Sequence, residues 1–164
     1  MKHVTALLMA LILLLSLAGC SGTEDNLYTF YYLRTRETLN HGAEDALIAP
    51  VEREISVEDP QLSYLLQLYL DGPSRENYYS PIPKGTYLLS TLWEGDTLII
   101  VLSREFATLE NVHLTLAGAC LTATCHSLTG AESIRVLSNE QTYDFALSDF
   151  TVLDDSAQAG KETQ

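Results

Sequence analysis

Several small groups of residues have types and spacings that could do chemistry, and each lacks a part. Cys120, Cys125 and His126 fall in the run CLTATCH; thiolate and imidazole are zinc ligands, but the run does not have the ligand spacing of a zinc site. Glu52 and Glu54 alternate onto one face of an extended segment and could hold a cation, although a solvated acidic edge that discourages aggregation is the ordinary role of such a pair. Lys84-Gly85-Thr86 contains the residue types of a phosphate-cradling loop, with lysine and glycine in the reversed order. No Gly-x-Ser-x-Gly elbow supplies an activated serine, and His41, His113 and His126, the last beside Cys125, are read as satisfied or surface histidines. Tyr28, Tyr31, Tyr32 and Trp93 could form a platform on which sugar rings stack, while in a sheet such side chains ordinarily pack under helices or against each other. The reading is of a chain without catalytic residues, cofactor-binding residues or metal ligands.

The one residue with assignable covalent chemistry is Cys20. Lys2 and His3 precede an uncharged apolar run from Val4 to Leu17, which is too short for a bilayer-spanning helix of about 20 residues and has the length of a signal-peptide core. Leu17-Ala18-Gly19-Cys20 follows. Small residues before a cysteine resemble the bacterial lipobox, which implies removal of residues 1–19 and a diacylglyceryl group on Cys20. Two acyl chains anchor stably where one is marginal. The expected location is extracytoplasmic, on the cell membrane.

The chain of 164 residues has a formal net charge of −13 at pH 7, and loss of the signal with its Lys2 makes it more acidic. Phosphate backbones are repelled, so nucleic acid is excluded as a partner. What remains after residue 19 suffices for one domain with its own core. Cys120 and Cys125 diverge by about 140° around a helix axis, so two free thiols are expected.

The elements that must position these residues read as follows. Residues 20–26 form a polar tether. Leu27–Thr35 is an aromatic-rich strand, and Leu47–Val57 a second one, at a sheet edge because of Pro50. Asp59-Pro60 looks like a helix start, and Leu62, Leu65, Leu66 and Tyr69 share one face of the helix that follows. Gly72-Pro73 ends it. Thr86–Trp93 and Thr97–Ser103 flank Glu94-Gly95-Asp96 as a hairpin, and the apolar run Leu98–Leu102 reads as a central strand covered on both faces. A second helix covers about Glu110 to Leu128, centred on Leu121, with Gly118 permitting close approach to the sheet. SIRVLS, a turn at Asn139-Glu140-Gln141 and a closing extended segment complete a domain over 27–153; residues 154–164 lack the apolar content to order. The fold class is α+β, with two helices packed on one face of a mostly antiparallel sheet.

This order of motifs resembles the GerMN domain of sporulation and germination proteins. The resemblance is carried by LLQLYLDGPS, SPIPKGTYLLS, the EGD turn, VLSREF and LTGAESIRVLSN. It implies a fold similar to the ring-building motif and a non-enzymatic envelope protein that binds another protein, in sporulation or germination. Cys120 and Cys125 lie outside the family pattern. The loop from Asp71 to Thr86 is read mainly as a stiff connection, fixed by Pro73, Pro81 and Pro83, with Ile82 entering the core. Tyr78 and Tyr79 on that loop, with Trp93, are the candidate partner surface. Peptidoglycan, stacked on the aromatics near Trp93, is the alternative partner.

Overall fold

The computed structural model describes residues 26–35 and 46–150. The signal segment, Cys20, His41 and the C-terminal tail lie outside the described residues. Within them the class is α+β with two helices, and the strands divide into two sheets rather than one.

The first sheet has β1 (Leu27–Arg34) at its centre. On one side β2 (Ile48–Glu54) runs antiparallel, with Pro50 opposite Tyr31; on the other side β3 (Tyr78–Tyr79) pairs with Leu33 and Arg34. Pro50 therefore sits on an edge strand, where its missing N–H leaves no gap in the ladder. The remaining edge of β1 meets a helix instead of a strand, because the Tyr31 N–H donates to Thr124 Oγ1 at 2.9 Å. A hydroxyl thus stands where a joining strand would be, and the sheets stay separate.

The second sheet has the order β4 (Leu88–Glu94), β5 (Thr97–Leu102), β6 (Ser133–Ser138), β7 (Gln141–Ala146). Gly95 takes a φ of 59° in the tight β4–β5 turn, and Asn139 and Glu140 take 48° and 65° in the β6–β7 turn. Positive φ at both central residues is the backbone of a type I′ hairpin, whose twist matches its strands. β5 and β6 pair in parallel, which requires a long crossover, here supplied by the second helix.

Helix α1 (Leu62–Leu70) buries Leu65, Leu66 and Tyr69. It begins later than its sequence suggests: Gln61 is the N-cap, and Asp59 adopts a φ of 50°. Asp59 therefore leaves the chain before the helix and caps nothing there. Gly72, with a φ of 98°, closes the other end and donates to Tyr69 O.

Helix α2 (Asn111–Thr129) packs on β1 and also on β6 and β7, so it lies between the two sheets. Its middle is buried nearly all round, through Ala117, Gly118, Ala119, Cys120, Leu121, Thr122, Thr124 and Cys125. Small residues make that possible; a Cβ on Gly118 would overlap the Phe145 ring of β7. Leu121 is central, as its periodicity indicated, with Leu114 and Leu128 packed at the margins. Gly130 ends the helix with a φ of 77°.

Both helix thiols are free and buried. Burial pushes the Cys120 thiol from 9.0 up to about 12, and raises that of Cys125 as well. Native protein is expected to resist iodoacetamide at pH 8, with both thiols alkylating at once in urea; rapid native labelling would refute their burial. Because folding raises these values, the associated stability is complete below about pH 9 and is lost as pH rises toward 12. Urea midpoints should accordingly fall on the alkaline side as the thiols ionise.

Candidate functional site

The Asp71–Thr86 loop is tied by its own turn hydrogen bonds, and it also shapes a groove. Thr86 Oγ1 donates to Pro83 O at 2.8 Å, the Ile82 N–H donates to Ser80 Oγ at 3.1 Å, and Gly85 has a φ of 86°. Ile82 is buried in the core as expected. Thr86 is thereby spent on a turn, and with Lys84-Gly85 it forms no phosphate cradle. A groove of about 790 Å3 opens beside the loop, lined by Gln67, Pro73, Tyr78, Tyr79, Lys84 and Tyr87. Gln67 ties its wall together: Oε1 accepts the Leu88 N–H at 3.1 Å and Nε2 donates to Asp71 Oδ1 at 3.0 Å.

Of the candidate partner residues, Tyr79 is 47 % exposed and Trp93 50 %, while Tyr78 is packed against the core. They do not form one patch. Tyr87 starts the segment that leads into β4 and Trp93 ends it, about 20 Å apart at the rise of an extended chain. Trp93 borders a separate cleft of about 810 Å3.

What joins the two recesses is β4, read from the sequence as a hairpin strand but not, apart from Trp93, as a surface. Tyr87, Leu89, Leu92 and Trp93 are all half-exposed along it. A bulge between Leu88 and Ser90 sets Leu89 outside the ladder with β5. β4 is an edge strand, and its outer side is paired with no other strand among the described residues. It carries no proline and no charge before Glu94.

The outer face of this sheet follows from the register. Leu92, Ile99, Arg135 and Asp144 lie side by side across the four strands. Arg135 reaches Glu94 at 3.0 Å and Asp144 at 2.7 Å, so its side chain crosses β5 to reach β4. Ile99 is consequently buried without a second layer of structure among the described residues. The double-sided apolar pattern of β5 is answered by an ionic ladder, not by the two covering layers its sequence implied.

The aromatic platform is dispersed. Tyr32 is buried, stacks on Tyr69 at 5.1 Å and donates its hydroxyl to Tyr69 O at 3.0 Å; Tyr28 and Tyr31 belong to the first sheet, away from Trp93 in the second. Glu52 and Glu54 are exposed on edge strand β2. His113 is exposed, and His126 Nδ1 lies 3.2 Å from Ala131 O at the end of α2. Among the described residues no group of three or more His, Cys, Asp or Glu side chains could hold a metal ion, and no helix is long and apolar enough to cross a membrane.

Residues 29–144 match a family model described as Germane, sporulation and spore germination. The chain belongs to the Germane family. The Germane fold is seen also in the first GerMN domain of the sporulation protein GerM from Bacillus subtilis, with a TM-score of 0.54 at 14 % identity, over 71 % of this chain and 85 % of that one. The structure of the tandem GerMN domains of the same protein gives a TM-score of 0.54 at 14 % identity, over 75 % of this chain. The Germane chain spans 43 % of that tandem structure. No curated protein matches it.

Proposed function

We propose that this Germane-family protein is a membrane-anchored extracytoplasmic lipoprotein, held by lipid on Cys20, whose domain is a non-catalytic interaction module for another envelope protein in sporulation or spore germination. The observation that carries the proposal is the open edge of β4. Natural proteins blunt exposed edges with charges, prolines or covering elements, because an unpaired strand recruits other chains. β4 has no charge and no proline over Leu88–Trp93; α1, through Gln67, and the bulge at Leu89 engage only its start, and the strand displays Leu89, Leu92 and Trp93 to solvent. A partner strand or apolar ridge laid along it would reach from the tyrosine groove to the Trp93 cleft.

The test is crosslinking in intact growing and sporulating cells, with a photoreactive residue at Thr91 and mass spectrometry of the captured protein. One dominant envelope protein is expected, with capture reduced about tenfold by Leu89→Lys and Leu92→Lys together at unchanged melting temperature. Cys20→Ala in the same cells is expected to abolish fatty-acid labelling and membrane retention. Capture indifferent to the lysines would refute the β4 surface; labelling that survives Cys20→Ala would refute the anchor. Recovery of peptidoglycan alone would favour a wall-binding role.

A further inference from the structure

The cleft at the end of β4 is chemically unlike the tyrosine groove at its start. Trp93 pairs with Leu98 and so shares the helix-facing side of the sheet, yet it is half-exposed. The reason is that α2 stops short of it: Thr129 and Gly130, where that helix ends, stand with Trp93 around the cleft. Trp93 is the chain's single tryptophan, and its ring enters none of the aromatic pairs formed among the described residues.

Two acidic residues line the cleft, Asp96 from the hairpin turn and Glu132 from the segment after α2, and both are exposed. Neither closes an ion pair or a side-chain hydrogen bond among the described residues, whereas Glu94 and Asp144 nearby are both satisfied by Arg135. No Lys, Arg or His lines the recess. An unstacked indole face attracts cations through its quadrupole, and free carboxylates accept charge-assisted hydrogen bonds from N–H donors. Anionic groups are repelled by the same side chains and by the net charge of −13.

We infer that the cleft beneath Trp93 receives the guanidinium or ammonium group of an Arg or Lys side chain presented by the partner protein. The origin of that side chain rests on the interaction-module reading; the preference for a cation rests on the cleft's own residues. Trp93 supplies the stacking face, and Asp96 and Glu132 accept the N–H donors. Docking along β4 then has an end stop: only a segment placing a basic side chain at this cleft fills both the edge and the recess.

The experiment follows Trp93 fluorescence and its single indole N–H resonance in the full chain. The ligands are the N-acetyl methylamides of arginine, lysine and the neutral isostere norleucine, with glucosamine and chitotetraose as sugars. Saturable shifts are expected with the arginine and lysine compounds only, at millimolar concentrations for so small a contact. Binding should weaken about fivefold or more in Asp96→Asn/Glu132→Gln and between about 50 and 300 mM salt, while Asp144→Asn leaves it unchanged. Equal response to norleucine would reduce the cleft to an apolar surface and overturn the inference. Response to glucosamine or chitotetraose alone would assign the cleft to a sugar and overturn it as well, as would silence toward every ligand. Crosslinking through Thr91 that persists when the cleft is silent defeats only this inference; a responsive cleft without capture defeats only the interaction module.

Discussion

Tyr69→Ala is expected to cost about 3–5 kcal/mol of folding stability, the range for truncating a large buried aromatic residue. Tyr69 is fully buried at the junction of α1 and β1, stacked with Phe30 at 6.4 Å and with Tyr32 at 5.1 Å. Removing its ring opens a cavity that two further aromatic residues line. Tyr69→Phe should behave in the opposite sense. The Tyr69 hydroxyl faces Thr124 but closes no hydrogen bond of good geometry, so a buried polar atom is left unsatisfied, and its deletion is expected to gain about 1 kcal/mol. Urea unfolding of both variants at pH 7 measures the contrast. A Phe variant less stable than the parent would mean that the hydroxyl has a partner that matters.

Gly118→Leu is the second large effect, with an expected loss of about 3 kcal/mol, at the upper end for overpacking a filled site. Even the Cβ of an added side chain meets the Phe145 ring, and the ring is itself wedged beside Phe150 at 6.2 Å. Gly118→Ala separates the contributions: alanine gains about 1 kcal/mol in helix propensity, against an overlap that outweighs it. In a Phe145→Ala background the overlap is gone, and Gly118→Ala should turn from destabilising to stabilising. Chemical denaturation of the four members of this double-mutant cycle gives the coupling directly; additive effects would show that the helix can shift away from β7 at no cost.

Local turn chemistry made much of this fold legible. Gly95 and the Asn139-Glu140 pair announce hairpins and Gly72 and Gly130 end helices, because glycine and asparagine tolerate the positive φ required there, and Pro50 places its strand at an edge because it lacks an N–H. Asp59-Pro60 shows the limit. The pair has the composition of a helix start, yet Asp59 adopts a positive φ and Gln61 takes the cap. Which strands join which sheet was not legible, since the free edge of β1 is met by the hydroxyl of Thr124, remote in sequence. The candidate surface was legible in part. Tyr79 and Trp93 are exposed, but Tyr78, named beside them, packs against the core, and Tyr87, Leu89 and Leu92 had no marker. Leu89 is displaced by a bulge that no residue type signals, and Leu92 owes its outward orientation to a register fixed by β5. Ile99 is buried as its apolar run suggested, but what covers it was not legible, because an apolar outer position can be covered by one long cation held between two carboxylates, a three-strand arrangement that no local pattern encodes.

The placement of α2 between the two sheets has a consequence for how the domain can open. Neither sheet owns a separate core: the residues that seal β1 on one side of the helix and those that seal β6 and β7 on the other belong to the same turns. Peeling either sheet away would wet that shared helix and strip the opposite sheet of its cover. Partial opening therefore exposes core residues of both sheets, and the interior is expected to unfold as one cooperative unit. Along β4 only Leu88 packs on that core, while Leu89, Leu92 and Trp93 lie outside it, so a partner can bind and leave at those side chains without disturbing the shared interior.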